Sequence, residues 1–208
     1  MSTLAPTSQF LNGGAFQTPV SVAVDASGVV FVYDMGTGLI QSLSPDGTLA
    51  TVAGAGRGVA TPVPAFADGS GSTAILSSGS WCGLTLDSRT GSLYVADAAN
   101  HIIRRVESTT GVVSTIAGGG CDGCATPGKV DGQGTWATFN DPRGIVVDAS
   151  SNVYVYEWTG AKVRKISPDG VVTTVAGSWC AVLMNLWWQC VLSGVGVACL
   201  LRVGPISG

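Results

Sequence analysis

Cys121-Asp122-Gly123-Cys124 sets two thiols at the spacing that zinc sites and thiol–disulfide exchange both use. A structural zinc site takes about four ligands, and no second cysteine pair of suitable spacing accompanies this one. The pair follows a glycine run, Gly118-Gly119-Gly120, and does not precede a helix. Three readings stay open: a small disulfide that staples a loop, free thiols, or metal and redox chemistry. Cys82 is a further candidate for pairing with a connector cysteine in an oxidising compartment. The one histidine, His101, stands just before a strand and reads as a turn or packing residue. Ser70 lies between Gly69 and Gly71 but lacks the strand-to-helix turn that exposes a catalytic serine. Gly54-Ala55-Gly56-Arg57-Gly58 lacks the Lys-Ser/Thr pair and following helix of a phosphate cradle. Asp25, Asp87 and Asp148 recur, as do Asp34, Asp97 and Glu157. A catalytic acid pair is needed once in a chain. A carboxylate that accepts backbone N–H groups at a turn is needed in every copy of a repeat, and these six are assigned to turns. The residues therefore predict no catalytic site, no metal site and no cofactor.

What positions these residues is a unit that occurs three times. The first strand of each copy ends at Asp25, Asp87 and Asp148, at steps of 62 and 61 residues. The second strands are Val29-Val30-Phe31-Val32-Tyr33-Asp34, Ser92-Leu93-Tyr94-Val95-Ala96-Asp97 and Val153-Tyr154-Val155-Tyr156-Glu157. Nine positions further on, without a gap, come Leu43, Val106 and Ile166. Each copy closes on a Val/Ile-Ala-Gly, at Gly54, Gly118 and Gly177. Self-similarity at a fixed spacing is the mark of a repeat architecture. The runs are short, rich in Val, Ile, Thr and Tyr, and bounded by turn residues such as Pro45-Asp46-Gly47 and Pro168-Asp169-Gly170. Several are apolar at consecutive positions, which suits small sheets covered on both faces. The expectation is an all-β chain, a partial β-propeller of four-stranded antiparallel blades. The repeats run at about 19–54, 81–118 and 142–177, after a polar lead-in at 1–18 and with long connectors at 55–80 and 119–141.

These repeats resemble the NHL-repeat family of β-propellers. The matching pieces are Pro142-Arg143-Gly144-Ile145-Val146-Val147-Asp148, Leu93-Tyr94-Val95-Ala96-Asp97 and Asn100-His101-Ile102-Ile103-Arg104-Arg105. The connectors share Asp68-Gly69-Ser70-Gly71-Ser72-Thr73-Ala74 and Asp131-Gly132-Gln133-Gly134-Thr135-Trp136-Ala137. Copy one departs, with Gly38 at the place of His101 and Gln41-Ser42 at the place of Arg104-Arg105; copy three has Ala161 at the first place and keeps Arg164-Lys165. The resemblance implies a scaffold whose ligands lie on the loop faces or in the central channel. It also implies an alternative. Some members are lyases that hold a metal with several histidines, and one histidine cannot reproduce that set; this chain would then be a fragment of a propeller-type lyase or hydrolase whose active-site residues lie outside it.

Thirty glycines and 11% charged residues suit a turn-dense β protein. A net charge of −3 argues against bulk binding of nucleic acid, which wants a clustered basic surface. Arg104, Arg105, Lys162, Arg164 and Lys165 cluster by repeat position. They read either as solvated strand residues that pair with acidic neighbours or as a cationic rim for an anionic partner, and Arg104, Arg105, Arg164, Lys165 and Arg143 are the candidate binding residues for a protein or a small polar ligand. Residues 178–208 change character: 179–201 is a run of 23 residues without a charge, long enough to cross a bilayer of about 30 Å as a helix. A membrane span, an aberrant tail and a buried core segment all fit that composition. The first 18 residues show no signal peptide, and the compartment stays open. Three blades are fewer than the four to eight of a closed propeller. The expected function is a non-catalytic interaction scaffold, as a fragment, a truncated product or one part of a ring, with a membrane tether as an option.

Overall fold

The computed structural model describes residues 16–56 and 66–177, together with the backbone of 190–193 and 196–199. The chain divides into two compact units, Met1–Gly177 and Ser178–Gly208.

In the first unit every strand is antiparallel to its neighbours. Blade 1 has strands β1 (Pro19–Val24), β2 (Val30–Asp34), β3 (Leu39–Leu43) and β4 (Leu49–Ala53), in that spatial order. Blade 2 begins in the connector with the two-residue β5 (Gly69–Ser70). It continues with β6 (Gly83–Leu86), β7 (Ser92–Asp97), β8 (Ile102–Glu107) and β9 (Val112–Gly118). Blade 3 repeats this with β10 (Gly132–Gln133), β11 (Pro142–Val147), β12 (Val153–Glu157), β13 (Lys162–Ile166) and β14 (Val171–Ala176). The spatial orders are β5-β9-β8-β7-β6 and β10-β14-β13-β12-β11. Blades 2 and 3 therefore have five strands where the sequence reading gave four. Each connector crosses the outer edge of the blade it leads into and pairs with the last strand there, Gly69 with Val113 and Gly132 with Val172. That pairing gives partners to backbone groups that an edge strand leaves exposed.

Hairpin turns hold the register. Gly47 and Gly170 of the two Pro-Asp-Gly turns donate to the Ser44 and Ser167 carbonyls at 2.9 and 2.8 Å. A register shift recurs at one place in all three blades, between Ile40 and Gln41, Ile103 and Arg104, and Val163 and Arg164. Such a bulge re-aims the side chain beside it, and in blades 2 and 3 that side chain is a buried arginine.

Apolar surface is buried between blades. One cluster joins Phe31, Tyr33 and Ile40 of blade 1 to Leu84, Leu93, Val95 and Val106 of blade 2. The other joins Tyr94, Ala96 and Ile103 of blade 2 to Ile145, Val153, Val155 and Ile166 of blade 3. At about 1.5–3 kcal/mol for each large aliphatic or aromatic side chain removed from water, these two joints are the chief source of cohesion. The closing glycine of each repeat has a steric reason. Gly54, Gly118 and Gly177 have φ of +112°, +97° and +103°, and a Cβ there would lie within 3.0 Å of the carbonyl oxygens of Gly38, His101 and Ala161. Those three carbonyls belong to residues that are themselves left-handed, at φ of 70°, 57° and 51°. The equivalence of Gly38, His101 and Ala161 in the sequence is thus a backbone equivalence, and the three side chains are free to differ.

The second unit has two short strands in its described residues, β15 (Cys190–Ser193) and β16 (Gly196–Cys199), paired antiparallel. The expected apolar helix at 179–201 meets strand backbone in these eight residues; its other residues lie outside the described ones. Among the described residues no helix is long and apolar enough to cross a membrane.

Candidate interaction surface

Arg104 and Arg164 occupy matching places on β8 and β13, and both are fully buried. Arg104 donates through Nη1 to the Ile75 carbonyl at 3.0 Å and to Asp97 at 3.3 Å. Its Nη2 donates to the Ala67 carbonyl at 2.8 Å and to Asp68 at 2.9 Å. Arg164 repeats the set with the Thr138 carbonyl, Glu157, the Val130 carbonyl and Asp131, at 2.9, 3.2, 2.9 and 2.7 Å. Each guanidinium also lies over a ring, Phe66 at 5.5 Å and Phe139 at 5.0 Å. Asp68 and Asp131 complete a clamp by accepting from the backbone N–H and the hydroxyl of Thr115 and Thr174. The arginines thus fasten each connector to its blade, and a cationic rim built on Arg104 and Arg164 is corrected: fully desolvated groups with these partners do not face a ligand.

The other three candidate cations keep some exposure. Arg105 pairs with Glu107 and donates to Ser92 Oγ at 3.1 Å. Lys165 holds its ammonium 5.9 Å from the centre of the Tyr154 ring, a cation–π contact within its own blade. Arg143 grips Asp141 with two bonds of 2.9 Å and lies 5.0 Å from the centre of the Trp158 ring.

The six recurrent carboxylates lie at turns. Asp25 accepts from the Ser27 and Val29 amides at 2.9 Å each, and the Ser27 hydroxyl foremost holds its carboxyl below the usual value. Asp148 repeats the geometry with Ser150 and Asn152, and Asp87 accepts from the Arg89 amide and the Thr90 hydroxyl. Asp34 accepts from the Gln17, Thr18 and Gly36 amides and Glu157 from the Asn140 amide. Burial pushes the Glu157 carboxyl up, against the pull of the Asn140 amide and of Arg164. Asp97 takes the Asn100 side chain and Arg104.

Cys121 and Cys124 form a disulfide, with Cα atoms 5.3 Å apart. The adjoining loop is closed by a bridge between Gly119 and Thr126 and by Thr135 donating to Asp122. Cys82 is instead a free thiol buried 3.3 Å from Ser77 Oγ, so the pairing considered for it with a connector cysteine is corrected. Burial, with Asp97 nearby, pushes that thiol up to about 11, far from the thiolate that a nucleophile needs. His101 accepts from the Asp141 amide at Nδ1, 3.2 Å away. Burial lowers its pKa, with Asp141 and Asp97 pulling the other way. Among the described residues no three His, Cys, Asp or Glu side chains stand where they could hold a metal.

Tryptophans stand among the exposed apolar side chains, beside several valines. The loops that follow β2, β7 and β12 meet the chain leading into β1, β6 and β11 at one end of the blades. There the Met35 amide donates to the Thr18 carbonyl, the Gly79 amide to the Met35 carbonyl and the Trp158 amide to the Asp141 carbonyl, each at 2.9 Å. Trp81 and Trp158 stand on these segments at 61% and 55% exposure. Tyr156 meets Trp158 edge to face, with ring centres 6.5 Å apart. A Cβ on Gly83 would fall within 3.0 Å of the Arg143 carbonyl, so β6 and β11 abut closely two residues after Trp81. Sequence reasoning missed this surface, because isolated tryptophans in turns carry no repeat signal. It also missed Asp68 and Asp131, for which a signal existed. The two copies with an arginine at this place each follow an Asp-Gly, whereas copy one has Gln41 and no aspartate among residues 1–18.

The family model of the teneurin NHL domain matches residues 84–185. Mouse teneurin-4 is 30% identical over 104 residues, and zebrafish teneurin-3 is 31% identical over 105. Each match covers 46% of this chain and 4% of the relative, so the chain spans a small part of the teneurins it matches. Among solved structures, an auxiliary nutrient binding protein from Bacteroides ovatus superposes with a TM-score of 0.58 at 21% identity, over 78% of this chain and 37% of that one. A streptogramin B lyase superposes with a TM-score of 0.51 at 14% identity, over 79% and 42%. At such identities these two speak for the fold alone. Repeated motifs, antiparallel blades and the matched domain model agree in supporting an NHL-repeat β-propeller domain in this chain.

Proposed function

We propose that this chain is a non-catalytic interaction module and that its contact surface is the blade end carrying Trp81, Arg143 and Trp158. The observation that carries the reading is the exposure of two tryptophans there, one of them stacked with an arginine already fixed by Asp141. Exposed aromatic and arginine side chains held in place by their neighbours are the residue types that dominate protein contacts. The groups on which chemistry would rest are otherwise engaged. The Nδ1 lone pair of His101 takes the Asp141 amide, and the Cys82 thiol is buried with a raised pKa. A protein partner fits this surface better than nucleic acid, because Arg104 and Arg164 are internal and Arg105 and Arg143 are ion-paired. The membrane tether drawn from 179–201 falls mostly outside the described residues and is not part of the reading.

Site-specific photo-crosslinking tests this. A photoreactive residue replaces Trp158 in one protein and Thr48, in an outer hairpin turn, in another. The expected result, in extracts of the source cells, is a discrete protein adduct at position 158 only, reduced at least about fivefold by adding Arg143→Ala. Equal labelling at both positions, or none at 158, defeats the assignment.

A further inference from the structure

Two consecutive amides lead into the first strand of blade 1 and into that of blade 3, and they are held differently. In blade 1 the Gln17 and Thr18 amides both donate to the Asp34 carboxylate, at 2.6 and 2.8 Å. Burial raises the Asp34 carboxyl, but these two amides and that of Gly36 outweigh it and leave it below its ordinary value. That acceptor stays charged in neutral and mildly acid solution alike. Blade 3 has Asn140 and Asp141 in the same places, since Pro142 faces Glu157 as Pro19 faces Asp34. Here the longer Glu157 takes the Asn140 amide, at 2.9 Å. The Asp141 amide instead reaches across to blade 2 and donates to Nδ1 of His101, 3.2 Å away. Asp141 in turn frames the exposed surface. Its carboxylate accepts twice from Arg143 and once from Thr159, and its carbonyl accepts from the Trp158 amide.

We propose that His101 is an acid-sensitive latch on this surface: the neutral ring holds Asp141 in place, and a proton on Nδ1 frees the segment that carries Arg143 and steadies Trp158, so that the partner is released. The proposal rests on the reading of Trp81, Arg143 and Trp158 as a contact surface. A neutral imidazole that accepts at Nδ1 carries its proton on Nε2, and an imidazolium has two donors and no acceptor. Protonation therefore sets two N–H groups against each other across the contact with Asp141. The charged groups that face the ring are Asp97 of its own blade, paired with Arg104, and Asp141 of blade 3, paired with Arg143. Burial lowers the ring's pKa from 6.5 and outweighs the pull of both carboxylates, so the latch opens below that pH. The new charge also competes with Arg143 for the Asp141 carboxylate. Blade 1, whose two amides share one carboxylate, is the internal control.

NMR titration of the full 208-residue chain from about pH 7.5 to about pH 5 tests the latch. The Asp141 amide and the Trp158 indole N–H are expected to shift with the midpoint of the His101 ring, while the Thr18 amide does not. His101→Asn supplies the contrast. Position 101 has φ of 57°, which asparagine tolerates, and the amide oxygen offers an acceptor that does not titrate. An Asp141 amide that stays still while the ring titrates overturns the proposal. So does one that shifts equally in H101N, since Glu157 is then the group responsible. Photo-crosslinking reads the binding side, with the photoreactive residue at position 81 so that Arg143 and Trp158 remain. Only the fraction of chains with a neutral ring binds, so the adduct is expected to fall at least about fivefold over the same pH range with His101 present and by less than about twofold in H101N. An adduct of equal yield at both ends of the range with His101 present overturns the proposal. No adduct at either pH, with the NMR shifts as expected, refutes the contact surface and not the latch.

Discussion

Replacing Arg104 by Met tests the clamp that holds the first connector. Methionine keeps most of the side-chain volume, so the change removes charge and donors more than packing. Arg104 is fully buried, and its partner Asp97 has a side chain 1% exposed. Deleting the cation strands that carboxylate and leaves the Ala67 and Ile75 carbonyls with only each other's amides as donors. Breaking a buried pair from one side costs about 3–5 kcal/mol. For a domain of this size 1 kcal/mol shifts Tm by about 2–4 °C, so R104M is expected to melt roughly 10 °C or more below wild type. Asp68 supplies the contrast. It is about half exposed and water takes over part of its role, so D68A is expected to cost about 1 kcal/mol. The double variant R104M/D97N neutralises the stranded carboxylate and is expected to recover at least half of the loss. Urea unfolding followed by tryptophan fluorescence gives all three values. A loss below 1 kcal/mol for R104M, or strict additivity in the double variant, refutes the assignment of Arg104 as an internal tie.

The repeat-closing glycines give a second comparison. G118A puts a Cβ 2.6 Å from the His101 carbonyl and is expected to cost more than 2 kcal/mol, while G123A, also at positive φ but with nothing within 4 Å, is expected to cost about 1 kcal/mol, both read by thermal melting. His101 is expected to titrate below the ordinary histidine value of 6.5 when followed by NMR. Above that pH folded and unfolded chains are both neutral at this residue. As pH falls through 6.5 the unfolded chain takes the proton first and stability declines, a slope that H101N is expected to flatten and that is absent if the residue is solvated. The Cys121–Cys124 bridge closes only a short loop, so C121S/C124S is expected to cost about 2 kcal/mol or less. Native protein alkylated at pH 8 is expected to leave Cys82 unmodified until it is unfolded; rapid labelling in the native state contradicts its burial.

The strands were legible because their cause is local. β-Branched runs between Pro-Asp-Gly turns leave few other conformations, and three copies in register exposed the blade as the unit. The roles of Arg104 and Arg164 were not legible from strand alternation. Those residues point inward because both faces of blade 2 and the outer edges of blades 2 and 3 are covered, and a bulge sits beside each arginine. Their partners Asp68 and Asp131 lie 36 and 33 residues earlier in the chain, beyond any spacing rule for a strand. Connectors read as long loops turned out to contain a fifth strand and the acidic half of the clamp. The exposed pair Trp81 and Trp158 could not be found by repetition, since the matching places elsewhere hold other residue types.

Clamp and joint answer different demands of a repeat. The joint is apolar and non-directional, so Phe31 can become Tyr94 and Tyr33 can become Ala96 with the blades still packing. The clamp is directional: one guanidinium satisfies two carbonyls and two carboxylates, and only an arginine offers donors in that fixed fork. Blade 1 separates the two. It keeps its joint with blade 2 and has Gln41 in the arginine's place, buried with an Oε1 that finds no partner among the described residues. A blade can therefore pack without a buried arginine, and in the two described connectors the tie to the outer edge comes where Asp-Gly and Arg occur together. Fixing the connectors also fixes the segments that lead into β6 and β11, and with them Trp81 and Arg143. The buried arginines thus hold the frame on which the exposed aromatics of the proposed contact surface stand.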